Sequence, residues 1–144
     1  LAVGAAAYTY PGTQDTSTIE TYLTCEWAGE WVTPRVELWC DPVEAHGFYL
    51  RGALLKAHEL STRWSLCGQG WISAMDGNYA DYNIGSDTAG LSDAGAQIQL
   101  CFMPNENSRL DFAIYASTQI EQDYRDALVD PDPLWFGIFW SQEF

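Results

Sequence analysis

Residues 97–116, QIQLCFMPNENSRLDFAIYA, decide the fold class. Ile98, Leu100 and Phe102 form one face, and after Asn105-Glu106-Asn107-Ser108 the period resumes with Leu110, Phe112, Ile114 and Ala116. A period of two on both sides of a turn-forming tetrapeptide predicts a β-hairpin, with the 110–116 apolar set facing inward.

The same alternation recurs toward the N-terminus. Ile19, Thr21, Leu23, Cys25 and Trp27 alternate with Glu20, Tyr22, Thr24 and Glu26, the mark of a half-buried strand. After a break at Ala28-Gly29-Glu30, residues 35–40 turn Val36, Leu38 and Cys40 inward and stop at Asp41-Pro42. Residues 47–60 fit a helix through Leu50, Ala53, Leu54, Ala57 and Leu60, and a strand through Phe48, Leu50, Gly52 and Leu54. The strand is preferred, because Gly52 weakens a helix and no N-cap residue precedes Phe48. Residues 63–67 and 71–75 read as strand pieces around a candidate bulge at Gly68-Gln69-Gly70.

Residues 76–95 show no periodicity and read as a long loop. Ile120, Tyr124 and Leu128 suggest one short helix in 119–130, and Asp130-Pro131-Asp132-Pro133 is a stiff break. The last segment is apolar on both faces, with Leu134, Phe136, Ile138 and Trp140 opposite Trp135, Gly137 and Phe139. Such a strand is expected to be central in a sheet or covered by a neighbouring molecule. Six to eight short strands with regular turn signals predict an all-β, antiparallel sandwich of jelly-roll or Ig-like type, with at most one short helix.

The 144 residues suit one domain, here divided into an extended N-terminal strand, 1–12, and a single sandwich domain, 13–144. Acidic residues outnumber basic ones 20 to 6, a net charge of −14. That field repels nucleic-acid phosphate and anionic membrane surfaces. No apolar run approaches the about 18 residues of a membrane helix, so neither a nucleic-acid partner nor membrane insertion is expected. Cys25, Cys40, Cys67 and Cys101 have no zinc-ligand spacing to each other or to His46 and His58. Four separated cysteines in a small acidic chain predict two disulfides, Cys25–Cys40 and Cys67–Cys101 being the favoured of three pairings. A chain starting at Leu1 with no basic leader points to a secreted protein whose signal peptide is gone. No Asn-x-Ser/Thr acceptor occurs, while Thr13, Thr16, Ser17, Thr18 and Thr21 form a cluster open to O-linked sugar.

Chemistry is sparse. His58-Glu59 lacks the second histidine of a zinc protease, and neither a Gly-x-Ser-x-Gly elbow nor a phosphate loop is present, so no enzyme is expected. His46, in a Glu-Ala-His-Gly turn, reads as an exposed loop residue. Asp76, Asn78 and Asp81, joined by Asp87, offer hard oxygens to a structural Ca²⁺, though not in EF-hand order; the plain reading is a solvated turn. No other cofactor is implied. Trp39, beside Arg35 and Glu37 on an outward face, and the loop residues Tyr79 and Tyr82 present flat surfaces suited to sugar rings. They support an alternative function as a carbohydrate-binding or adhesive module.

The apolar N-terminus, LAVGAAAYTY before Pro11-Gly12, suggests assembly instead. As a strand it lines up Leu1, Val3, Ala5 and Ala7, which could enter the open edge of the next subunit, with Trp135 and Phe139 lining the acceptor groove. A contact in which each subunit gives and receives a strand propagates, so the leading expectation is an extracellular fibre or surface-layer subunit whose partner is itself.

Overall fold

The computed structural model describes residues 1–8 and 17–142. Every alternating segment is a strand: β1 (Ala2–Tyr8), β2 (Thr18–Glu26), β3 (Thr33–Asp41), β4 (Gly47–Glu59), β5 (Trp64–Met75), β6 (Gly90–Asn105), β7 (Ser108–Gln119) and β8 (Leu134–Gln142). Two short helices, α1 (Gly77–Ile84) and α2 (Gln122–Ala127), lie between β5 and β6 and between β7 and β8. Each strand pairs antiparallel with the next, giving one eight-stranded sheet in the order β1 to β8. The all-β expectation holds. A sandwich does not form, because consecutive hairpins add every strand to the same sheet and none crosses to a second layer.

The sheet curls strongly. Glu26 of β2 and Arg109 of β7 line one cavity of about 360 Å³, and Arg35 of β3 and Trp135 of β8 line another of the same size. In a flat sheet five strand spacings of about 4.8 Å would hold β2 and β7 roughly 24 Å apart. β1 is laddered to β2 and β8 to β7; among the described residues no ladder joins β1 to β8. The two-faced β8 is therefore an edge strand, which overturns the central position but not the other expectation, cover by a neighbouring molecule.

Connections differ between the two ends. Where β1 begins and β8 ends, the joins are short: 27–32, 60–63 and 106–107. At the opposite end 42–46 is short as well, while 76–89 and 120–133 are long and each carries a helix. The segment read as a loop over 76–95 thus holds α1 and the start of β6. Asp76 caps α1 by accepting from the Tyr79 amide at 2.9 Å, and Gly85 closes it in the left-handed region at φ 82°. The helix expected in 119–130 is α2, with Tyr124 fully buried beneath it. β5 runs unbroken through Gly68 and Gly70; the register shift falls between Ile72 and Ala74 instead.

The disulfides are absent, and all four cysteines are thiols. Cys25 lies opposite Val36 and Cys40 opposite Thr21, four residues out of step along β2. That is about 13 Å, twice the Cα separation a disulfide spans. Cys67 and Cys101 are diagonal neighbours on β5 and β6, with Sγ atoms 3.7 Å apart and no bond between them. The Pro11-Gly12 turn, the 12/13 boundary, Thr13 and Thr16 lie outside the described residues.

Candidate functional site

The ladders assign every side chain to a face, and the two faces are inverted relative to a water-soluble sheet. On the convex side stand Val3, Ala5 and Ala7; Ile19, Leu23 and Cys25; Val36, Leu38 and Cys40; Phe48, Leu50 and Leu54. The same side continues through Leu66 and Ile72, Ile98 and Leu100, Phe112 and Ile114, and ends at Phe136, Ile138 and Trp140. From Val3 round to Trp140, the charged or imidazole side chains among these ladder positions are Lys56 and His58, both near the short-turn end. This face is open: Ile98 is 60% exposed, Ile114 59% and Phe136 83%. Val36, Leu38, Cys40 and the 110–116 apolar set, expected inward, all point outward.

The concave side carries the charge. Arg35 makes a forked contact to Glu26, at 2.9 Å from Nε and 2.7 Å from Nη2, and approaches Glu37 at 3.6 Å. Arg51 sits 3.9 Å from Glu37 and lies over the Trp71 ring at 4.3 Å. Trp71 Nε1 donates to Asp93 at 2.6 Å, and the hydroxyls of Ser73 and Tyr49 converge on the same carboxylate. Gln97 donates to Gln99 and to the Tyr115 hydroxyl, both at 3.0 Å, and Tyr115 stacks on Trp135 with ring centres 3.9 Å apart. Arg109 bonds Asp111 at 2.7 Å. Ser73 and Asp111 are buried while Ile114 is open, so the sheet hides its polar residues and shows its apolar ones. An ion-pair network is tolerated there because each of Arg35, Arg51 and Arg109 has a carboxylate within 4 Å, although Arg51 Nε is buried without a hydrogen bond.

The sequence-derived candidates are distributed as follows. Trp39 shares a face with Arg35 and Glu37 as expected, but the face is the concave one, where its ring lies 4.7 Å from that of Tyr22. Tyr79, on α1, donates its hydroxyl to Glu20 at 2.6 Å; burial first, and that carboxylate second, push its pKa above the ordinary value. Tyr82 is on the exposed side of α1. Asp76 is spent as the α1 cap and Asn78 donates to the His46 carbonyl at 3.2 Å, with Asp81 in the same helix and Asp87 beyond it. Among the described residues no group of three His, Cys, Asp or Glu converges as a metal site. Leu1, just before β1, and Val3, Trp135 and Phe139 on the two edge strands are exposed, with Val3 outward and Trp135 and Phe139 on the concave face.

What the sequence reading missed is the outer surface itself. No helix among the described residues is long and apolar enough to cross a membrane. Comparison with known protein families, curated proteins and solved structures yields no match. The functional reading therefore stands on the geometry of this chain.

Proposed function

We propose that this chain is an integral membrane protein that crosses a lipid bilayer with its strands, and that it serves as a seated scaffold displaying the long acidic loops on one aqueous side. The observation that carries this reading is the inversion of faces: a continuous apolar convex surface around a charged, hydrogen-bonded interior. Water would penalise several hundred Å² of contiguous apolar surface, whereas hydrocarbon is its natural solvent. Dimensions agree. Along the outer face of β5, Trp64 to Ala74 rises about 34 Å at about 3.4 Å per residue, or about 26 Å along the normal at a tilt of about 40°. Such proteins carry an apolar band about 25 Å tall, interfacial aromatics, and short turns on one side with longer loops on the other. Trp64 stacked on Phe102 at 4.5 Å, with Trp140 on the same face, supplies the aromatics at the short-turn end.

The charge that argued against a membrane is segregated away from the convex face. Asp76, Asp81, Asp87, Glu121, Asp123, Asp126, Asp130 and Asp132 all lie in the two long connections, where Arg125 is the basic residue, and Glu44 lies in the short join at the same end. Arg35, Glu37, Arg51 and Trp71 form a chain of contacts along β3 to β5 that fills part of the interior, which favours a scaffold over an open pore. In this reading the extracellular expectation applies to the acidic loops. A second reading, the fibre subunit, draws on one observation: β1 and β8 each present an edge without a ladder partner among the described residues.

The test is reconstitution. Chain refolded from detergent into phosphatidylcholine vesicles should float with them, resist carbonate extraction, and show tryptophan quenching by bromine on the acyl chains. A chain that folds to a monodisperse β protein in plain buffer and stays behind the vesicles contradicts the proposal.

A further inference from the structure

Resting on the membrane reading, we infer that the outer edges of β1 and β8, which no ladder joins among the described residues, are partners of each other, closing the sheet into an eight-stranded barrel with Val3 opposite Trp140, Ala5 opposite Ile138 and Ala7 opposite Phe136. An open edge exposes a row of N–H and C=O groups, and hydrocarbon offers them nothing, so a spanning sheet must be closed. The curl already brings β8 toward β3, since Trp135 and Arg35 line one cavity. Both edges are apolar outward, β1 with Val3, Ala5 and Ala7 and β8 with Leu134, Phe136, Ile138 and Trp140.

The register follows from the ladders. Outward residues are odd-numbered on β1 and even-numbered on β8, so pairing like face with like face allows only registers two residues apart. Chaining the seven observed registers shows that the rung through Ile138 arrives beyond the start of β1, displaced by about ten residues from Ala5. For eight strands about 4.8 Å apart, a stagger of about ten residues tilts the strands by about 42°, inside the 35–45° range of closed barrels. A stagger of about twelve gives about 47°, outside it. One of about eight gives about 35°, but sets Tyr8 against Pro133, which has no N–H to donate and lies before β8 begins. The chosen register pairs all of Ala2–Tyr8 within β8. It also sets Gly4 against Phe139 on the inner face, where Tyr22 already occupies the space a Gly4 Cβ would need.

Cross-linking decides between closure within one chain and strand addition between copies. With the four native cysteines changed to Ala, Ala5→Cys is combined with Ile138→Cys and the vesicle-bound protein is oxidised with copper phenanthroline. Closure predicts a fast, dilution-independent bond within one chain, at least about tenfold slower for the out-of-register pair Ala5→Cys with Leu134→Cys. Val3→Cys with Trp140→Cys gives the same readout should the first pair fail to fold. Dimers and multimers that disappear on dilution would overturn closure in favour of the fibre. Preference for the Leu134→Cys pair, or failure of both in-register pairs to react, would overturn the register. Acyl-chain quenching on the same Cys-free background separates the two claims: quenching with only intermolecular bonds defeats closure alone, and intramolecular bonds without quenching defeat the membrane reading alone.

Discussion

Ile98 and Ile114 face each other across β6 and β7 on the convex side, each more than half exposed. Water and lipid assign opposite consequences to a charge placed there. Ile114→Arg on a water-exposed position should change stability by no more than about 0.5 kcal/mol. On the lipid face near the bilayer midplane it should cost about 2–4 kcal/mol, measured by urea unfolding of the vesicle-inserted chain. A near-neutral result would contradict the lipid-facing assignment. At this scale the sequence was half legible. Alternation identified which residues share a face, and the pairing of Val36, Leu38 and Cys40, or of Phe112 with Ile114, is as read. It could not say which face is inside, because a period of two is the same in water and in lipid. The inward assignment followed from assuming that the solvent is water.

At the scale of elements, the connection from β7 to β8 is tied by one cluster. Arg125 of α2 reaches Asp132 at 2.8 Å and the Thr118 hydroxyl at 3.0 Å, while Thr118 donates to Asp132 at 2.5 Å. The Arg125 guanidinium, with help from Thr118, holds the Asp132 carboxyl down to about 2, against an ordinary value of 3.8. A folded pKa below the unfolded one means the tie stabilises the loop above pH about 4 and is lost as pH falls through about 2. Carboxyl ¹³C shifts should titrate with a midpoint near 2 in the native chain and move upward in Arg125→Gln. A native midpoint close to 3.8 would contradict the tie. α2 was readable from Ile120, Tyr124 and Leu128; α1 was not, because its eight residues show no amphipathic period and its start depends on the Asp76 cap alone. The suspected break in β5 is not there either: Gly68 and Gly70 are paired on both sides in continuous register, to Lys56 and Leu54 of β4 and to Ile98 and Ala96 of β6.

At the scale of the molecule, topology was the least legible feature. Eight strands separated by turns are compatible with a sandwich, a barrel or an open meander, and local pattern carries no information on which strand neighbours which. Two signals were nevertheless present. The two longest connections, 76–89 and 120–133, fall on the same end, and in β2 and β3 the charged residues share one face with an aromatic, Glu20 and Glu26 with Tyr22 and Arg35 and Glu37 with Trp39. The cysteine expectation failed at this scale too, since the register separates Cys25 from Cys40 along the strands and Cys67 and Cys101 remain thiols. The most direct measurement of the central claim is a nitroxide scan of β7. Single spin labels at positions 110 to 117, in vesicles and on a cysteine-free background, are read for collision with oxygen and with a water-soluble nickel complex. A lipid-facing convex surface predicts high oxygen and low nickel accessibility at 110, 112, 114 and 116, with the alternate positions low in oxygen. High nickel accessibility at 112 and 114 would show that water covers that face and would contradict the account.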